Sequence, residues 1–345
     1  MAQVVAVANQ KGGVAKTFTS RQFATCLANK GFRVLAVDGD PQQDLTRQFG
    51  ITEEDLKGGE TLTSLIAMEI DNRTDTDTDD KYEYDTADAI LCTDDNVDLL
   101  SATISLSSII NKMPSAMNRD YIMRDILKQV QDDYDYIIID CPPNLGFLVI
   151  NHLFASDKVL IPAFTDEQSL TSMHRLVSTI KNVEKNDVTD HYITVDGILF
   201  TNVKENTKMA EMFMALVKKT FPLYSYENYI PSSVSAQEAV ANHTSIFEHD
   251  EKGKVAQAYL RFTEEFLKKE VDEIKNDAMM CKEDAQSMME EAKELEASND
   301  KADARKAERL RRKAEQLIQE SEELLLDAEE LREKAGLAQE NERKE

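Results

Sequence analysis

Two lysines and two glycines lie close together in residues 9–17 (NQKGGVAKT), between an apolar run and a helical pattern. Glycine carries no Cβ, so backbone N–H groups there can turn inward around an anion, and the following helix presents the positive end of its dipole. Lys16 is placed to reach the β- and γ-phosphates of a nucleotide, and the Thr17 hydroxyl to coordinate Mg²⁺. The segment therefore predicts a phosphate-binding loop; the alternative is a glycine-rich turn with incidental lysines.

The spacing departs from the common phosphate-loop pattern GxxxxGK[ST], because Gln10 and Ala15 replace its two glycines. The segment matches instead the deviant form KGGxxK[ST], in which a second lysine, here Lys11, stands at the start. Because this match lies between a predicted strand and a predicted helix, it has the context that such a loop requires.

Two further apolar runs end in carboxylates. Residues 34–37 are followed by Asp38 and Asp40 in the sequence DGDPQ, and residues 136–139 are followed by Asp140 in DCPP. Ligands bind at the carboxyl edge of a parallel sheet, and a carboxylate at a strand end is a ligand that Mg²⁺ accepts. If the strand geometry persists to Asp40, its side chain points the same way as that of Asp38. The alternatives are turn-forming aspartates before a proline and an acid that caps the next segment.

The elements that must position these residues are short strands alternating with helices. Residues 4–8, 34–37, 136–139 and 159–161 are almost unbroken, largely β-branched apolar runs, which are typical of parallel strands covered on both faces. An amphipathic helical pattern covers residues 17–30 and is followed by Gly31 as its C′ residue. This alternation predicts an α/β fold with a doubly wound, mostly parallel sheet.

The chain has 345 residues and a net charge of −25, which argues against attraction of nucleic acid or anionic lipid by the surface as a whole. It contains no apolar stretch of about 18 residues, and its N-terminus is typical of a first strand and not of a signal peptide. The four cysteines, which form no CxxC pair, indicate a reducing compartment: Cys26, Cys92, Cys141 and Cys281. We therefore expect a cytoplasmic protein without a membrane segment.

The composition changes twice along the chain. Residues 71–88 are acidic and almost free of aliphatic side chains, which predicts an exposed loop. After residue 268 the chain contains no proline and repeats apolar or small residues at heptad spacing, which is typical of a coiled coil. We therefore expect an α/β domain over 1–268 and a helical appendage over 269–345. A phase slip between Ala292 and Ala307 favours an antiparallel hairpin that turns near residues 298–300, and the alternative is one continuous helix.

The loop and the two carboxylate motifs resemble those of the ParA/MinD group of deviant P-loop ATPases, and the resemblance covers about residues 1–267. It implies ATP and Mg²⁺ as ligands, with Thr17, Asp38 and Asp140 at the metal. It also implies catalytic roles for Lys11, which reaches the partner's nucleotide in a dimer, for Lys16, and for Asp40, which orients the attacking water. The implied nucleotide-binding residues are Lys11, Gly12, Gly13, Val14, Ala15, Lys16, Thr17, Phe18 and, at the adenine, Pro231.

Within this group Gln10 and the Asp-Pro-Gln sequence at 40–42 favour the ParA partition proteins. The resemblance implies an ATP-dependent homodimer that positions DNA, with hydrolysis stimulated by a ParB-like or other activating protein and without membrane binding. The usual DNA-binding arginines are missing from residues 201–208 and 231–239, and Lys204 and Lys208, with Lys218 and Lys219 later in the chain, could substitute. The alternative function is an ATP-gated scaffold that positions a protein assembly through its coiled coil without binding DNA.

Overall fold

The computed structural model describes residues 1–74, 81–189, 192–297 and 301–337. The chain divides into two compact units, Met1–Phe262 and Thr263–Glu345. The first unit contains the sheet, and the second contains helices only within the described residues. The predicted boundary at residue 268 falls inside a helix that continues through it, so the division into 1–268 and 269–345 stays a prediction.

The first unit is built on a seven-stranded sheet in the order β3-β4-β2-β5-β1-β6-β7. The strands are β1 (Gln3–Val7), β2 (Val34–Asp38), β3 (Ile90–Cys92), β4 (Asp98–Leu100), β5 (Tyr136–Asp140), β6 (Lys158–Ala163) and β7 (Thr194–Phe200). All neighbours are parallel except β3 and β4, which pair in the antiparallel direction. The predicted fold class, a doubly wound and mostly parallel sheet, is confirmed.

Helices connect the strands and continue beyond the sheet. They are α1 (Lys16–Asn29), α2 (Asp44–Gln48), α3 (Leu62–Thr74), α4 (Leu106–Ile109), α5 (Ile122–Lys128), α6 (Phe147–Phe154), α7 (Glu167–Asn186), α8 (Lys208–Thr220), α9 (Val234–Ala241), α10 (Ile246–Asp250), α11 (Lys254–Glu296) and α12 (Lys301–Ala335). Short 3₁₀ helices cover Thr86–Ala89, Ile110–Ser115 and Arg119–Tyr121. Helix α1 ends as predicted, because Gly31 follows it with φ of +88°, a conformation that glycine adopts without steric cost.

The central strands form because their apolar residues are buried on both faces of the sheet. Every residue of β2, β5 and β6 is buried. In the sheet, β2 lies on one side of β1 and β6 lies on the other, so the strand order reverses at β1. Such a reversal of strand order opens a crevice at the carboxyl ends of the strands, where ligands bind in open α/β sheets. The fold therefore brings the three sequence motifs to one edge.

The acidic segment 71–88 is more ordered at its ends than the sequence predicted. Helix α3 extends through Thr74, and Thr86 is buried, with its hydroxyl donating to the Ile126 carbonyl oxygen at 3.0 Å. The Asp85 side chain accepts from the Ala87 N–H and so begins a 3₁₀ helix. The segment therefore contains helical turns at both ends where a loop was predicted, whereas most of its described residues are exposed as predicted; residues 75–80 lie outside the described part of the chain.

The second unit contains the larger part of α11 together with α12. The Ser321 hydroxyl donates to the Ala278 carbonyl oxygen at 2.7 Å, and Lys306 pairs with Glu291 at 2.8 Å, so the two helices run antiparallel. Small residues that recur every seven positions are buried along both helices: Ala278, Ala285, Ala292, Ala307, Ala314, Ser321, Ala328 and Ala335. Small side chains allow two helix axes to approach closely. The predicted turn at residues 298–300 lies outside the described residues.

Candidate active site

Hydrogen bonds to neighbouring segments fix the loop that follows β1. The Asn9 side-chain amide donates to the Pro162 carbonyl oxygen at 2.7 Å, and the Thr201 hydroxyl donates to that of Val14 at 3.0 Å. Gly13 and Ala15 both adopt positive φ, of 74° and 61°, and Ala15 is the residue that caps α1. The loop therefore curves directly into the N-terminus of α1, where unpaired backbone N–H groups form an anion site.

A cavity of about 580 Å³ lies against this loop within the first unit. Six residues of the loop and α1 line the cavity: Gly12, Gly13, Ala15, Lys16, Thr17 and Phe18. Asp40 and Pro231 lie on other parts of the wall. Lys16 is buried although it carries a charge, so its ammonium group is placed for an anion in the cavity. The dimensions of the cavity, and Lys16 as the one cation among the described residues that line it, suit a ligand that carries phosphate.

Asp140 and Asp38 lie side by side at the ends of β5 and β2, where they are register partners. Both carboxyls are fully buried. Burial, with a smaller contribution from Asp38, raises the pKa of Asp140 to about 8, while burial raises the pKa of Asp38 to about 6 against hydrogen bonds from Thr46. Asp140 Oδ1 accepts from the Ser20 hydroxyl at 2.9 Å, whereas its Oδ2 has no hydrogen-bond partner among the described residues.

The two acids of the DGDPQ sequence do not share one environment. Strand β2 ends at Asp38, whose Oδ2 accepts from the Thr46 backbone N–H at 2.8 Å and hydroxyl at 2.6 Å. Asp40 lies in the following turn, where its N–H donates to Asp38 Oδ1 at 3.2 Å, and its own carboxyl borders the cavity. The strand geometry does not persist to Asp40, so the expectation that the Asp38 and Asp40 side chains point the same way no longer follows.

Lys11 is not among the residues that line the cavity, although its loop forms part of the wall. Its ammonium group makes an ion pair with Asp166 and lies 5.4 Å from the centre of the Phe164 ring. Asp166 also caps α7, since its Oδ1 accepts from the Ser169 N–H at 2.9 Å. Although burial acts to raise it, the pKa of Asp166 is lowered by the hydrogen bonds from Lys11 and Ser169. In this chain Lys11 is thus held by a fixed carboxylate.

The structure brings most of the predicted nucleotide-binding and metal-binding residues to the cavity wall, but not all of them. Lys11, Val14, Asp38 and Asp140 are not among the residues that line it. Val14 and the two acids are buried behind the wall, and Lys11 is held by its ion pair. The roles assigned to these side chains stay predictions.

Sequence reasoning missed several residues of the wall. Asn202 follows β7 with φ of 52°, Gln237 comes from α9, and Tyr259 comes from α11. Tyr259 is fully buried, and its hydroxyl lies 3.0 Å from that of Thr19 on α1. A polar residue after a buried apolar strand could have identified Asn202, whereas the other two carry no local signal.

Comparisons with known proteins agree with this geometry. The family model described as an AAA domain (AAA_31) matches residues 2–194. The sporulation initiation inhibitor protein Soj of Bacillus subtilis is 35% identical over 266 residues, which are 77% of this chain and 98% of Soj. The chromosome partitioning protein ParA of Myxococcus xanthus is 30% identical over 271 residues, 78% of this chain and 89% of that protein.

A solved structure has the same fold with ligands bound. It is described as cobyrinic acid a,c-diamide synthase of Mycobacterium smegmatis with bound ATP analog and magnesium. It is 28% identical, has a TM-score of 0.64, and the alignment covers 76% of this chain and 93% of that chain. Separately, no helix in the described part of this chain combines the length and apolarity needed to cross a membrane.

Proposed function

Because this chain belongs to the ParA/MinD family of P-loop ATPases, we propose that it binds ATP with Mg²⁺ as a dimer, hydrolyses it, and uses the cycle to partition DNA. The family membership rests on the matched domain and on the similarity to Soj and ParA along most of the chain. The observation that carries the proposal for the site is the buried Lys16 at the wall of an open cavity, at the N-terminus of α1.

The phosphates of ATP are bound by the loop after β1. Backbone N–H groups of Gly12, Gly13 and the first turn of α1 donate to phosphate oxygens, and Lys16 contributes a full positive charge. Pro231 and the neighbouring residues of the wall enclose the adenine end of the cavity. With the phosphates bound in the loop, the γ-phosphate would lie beside Asp40.

The residues beside Lys16 fit a magnesium ion. Asp140 Oδ2 is buried without a hydrogen-bond partner among the described residues, and the Thr17 hydroxyl lies close enough to lower the pKa of Asp140. Thr17, Asp38 and Asp140 would hold the ion. Bound there, Mg²⁺ supplies positive charge that stabilises the phosphate oxygens during transfer.

Asp40 orients the attacking water. Asp40 is one of the residues that line the cavity. Burial raises the pKa of the Asp40 carboxyl, and the hydrogen bond that the Gln42 N–H donates to it acts in the opposite direction. The carboxylate accepts a hydrogen bond from the water and directs its lone pair at the γ-phosphorus. Hydrolysis then gives ADP and phosphate.

Lys11 acts on the nucleotide of the partner protomer. In the single chain it is held by Asp166 outside the cavity that its own loop forms. A cation that is supplied only when two protomers meet couples hydrolysis to dimerisation. The released Lys11 would stabilise negative charge on the transferred phosphoryl group.

The ATP-bound dimer binds DNA through exposed lysines, and a ParB-like activating protein stimulates hydrolysis and release. Lys204, Lys208 and Lys219 are exposed around α8, whereas Lys218 is paired with Glu227. In the second unit Arg311 and Arg312, like Lys306, are also engaged by glutamates. With the lysines around α8 as the proposed contacts, we expect DNA binding to be local and sensitive to salt.

Single-turnover and steady-state ATPase assays test the site. Asp40→Ala should bind ATP with Mg²⁺ as tightly as the wild type and hydrolyse it about a hundredfold more slowly, because the water loses its acceptor. Lys16→Ala should lose nucleotide binding altogether. If Asp40→Ala hydrolyses ATP at the wild-type rate, the assigned water position is wrong. Retention of plain duplex DNA on filters with ATP distinguishes the DNA-binding dimer from a protein scaffold.

A further inference from the structure

A histidine lies fully buried behind the loop that carries Asp40. His152 belongs to α6 and has no exposed surface. Neither ring nitrogen has a hydrogen-bond partner among the described residues. Burial lowers the pKa of His152 to about 3, so the ring is neutral. Two unpaired polar atoms in the interior cost free energy, and a purely apolar side chain would avoid that cost.

The ring of His152 occupies the space that a side chain at residue 39 would need. A Cβ built on Gly39 would lie 2.9 Å from His152 Nδ1, still closer to Cε1, and 2.6 Å from the Asp140 carbonyl oxygen. The φ of Gly39 is not in the left-handed region, so its backbone conformation does not require glycine. Lack of space, and not backbone geometry, is what excludes a side chain there.

Gly39 lies between Asp38 and Asp40, in a turn that hydrogen bonds fix on both sides. Its N–H donates to the Asp140 carbonyl oxygen at 3.0 Å, and the next N–H, of Asp40, donates to Asp38 Oδ1 at 3.2 Å. The Gln42 N–H then donates to Asp40 Oδ1 at 3.0 Å. With these short links, a displacement of the Gly39 backbone moves the Asp40 carboxyl.

We infer that His152 is a positioning residue for hydrolysis: its ring packs against Gly39 and sets where Asp40 stands at the cavity wall. This inference rests on the proposed ATPase function and assigns no contact between His152 and substrate. Because interiors are close-packed, loss of the ring leaves Gly39 without support, and an added Cβ pushes the turn away from it.

The test is a double-mutant cycle of Gly39→Ala and His152→Ala, read in ATPase kinetics. Each single variant should lower kcat about 10- to 100-fold, because displacement of a positioned group by about 1 Å can cost that much. The KM for ATP should change less than about threefold, since the phosphate loop is untouched. The double variant should recover part of the loss, because the new methyl group enters the space that the ring left but still meets the Asp140 carbonyl oxygen.

Two further variants separate positioning from folding. His152→Leu keeps comparable width without the ring nitrogens and should retain kcat within about threefold. Leu153→Ala, at a buried neighbour on the same helix, should lower the thermal midpoint without any coupling to Gly39→Ala. A wild-type kcat in His152→Ala, or strictly additive effects of the two substitutions on kcat, would overturn the inference.

Thermal unfolding of the wild type, the two single variants of the cycle and the double variant requires no ATPase activity. It therefore tests the packing contact separately from the proposed function. Gly39→Ala should lower the midpoint, and His152→Ala should restore part of that loss in the double variant. A wild type that binds ATP without hydrolysing it would contradict the proposed function alone. Additive midpoints would remove the packing contact and with it the inference, whatever the ATPase rate.

Discussion

The ion pair between Lys11 and Asp166 opposes the dimer that the proposed function requires. Each protomer must break this pair before Lys11 can reach the partner's nucleotide. The side chains of Lys11 and Asp166 are 19% and 42% exposed, so solvent screens their attraction. One such ion pair therefore stabilises the single protomer by about 0.5–1 kcal/mol. A dimer breaks two such pairs, which amounts to about 1–2 kcal/mol or a factor of about 5 to 30 in the dimer dissociation constant.

Asp166→Asn removes the charge and keeps the cap of α7, because an asparagine oxygen accepts from the Ser169 N–H as well as a carboxylate does. In the presence of ATP, the variant should therefore dimerise about 5 to 30 times more tightly than the wild type. Sedimentation equilibrium with a slowly hydrolysed ATP analogue measures the two constants. Ser169→Ala, which loses only a hydroxyl bonded to Asp166, is the matched control and should dimerise like the wild type.

Salt provides the check on the cause. At about 1 M ionic strength the Debye length falls to about 3 Å, so the advantage of Asp166→Asn should shrink. A variant that dimerises equally or more weakly than the wild type refutes the reasoning, because Asp166 then does not restrain Lys11. An advantage that survives high salt would mean that the substitution acts through another contact.

Three other outcomes are expected. Asp140→Asn should raise the thermal midpoint of the nucleotide-free protein, and this gain should grow from about pH 5 to pH 8. Between these pH values folded Asp140, with a pKa of about 8, keeps a proton that the unfolded state has lost, so the wild type loses stability as the pH rises. An equal gain at both pH values argues that the pKa of Asp140 is not raised. Cysteines at Ala285 and Ala314, which the register of α11 and α12 makes neighbours, should crosslink within one chain on oxidation, and crosslinks found only between chains would sink the hairpin. The affinity of the ATP-bound dimer for duplex DNA should fall with a log–log salt slope of about five, as expected from about three lysines in each protomer, and a slope of about ten would mean a basic surface elsewhere.

The phosphate loop and the carboxylate motifs could be predicted from the sequence because each is local. An apolar run fixes a strand, and the residues that follow it must reach the carboxyl edge of the sheet. Lys16 and Asp40 lie there, at the wall of one cavity, as their motifs indicated. The repeat of small residues in the second unit is also local, and it predicted two long helices.

Contacts between distant parts of the chain could not be predicted in this way. Nothing near Lys11 identifies Asp166 as its partner, and nothing near Gly39 indicates that the ring of His152 fills the adjoining space. Tyr259 reaches the cavity from a helix whose pattern suggests only packing. These contacts depend on how the helices cover the sheet, which periodicity alone does not determine.

A mixture of two inactive variants gives the sharpest test of whether Lys11 serves the partner's nucleotide. Lys11→Ala keeps its own Asp40 and lacks the cation, while Asp40→Ala supplies the cation and lacks the water-orienting carboxylate. In an equal mixture about half of the dimers are mixed, and each has one complete site, so about a quarter of the wild-type ATPase rate should return. If the mixture stays as inactive as either variant alone while sedimentation shows that mixed dimers form, Lys11 does not act across the dimer.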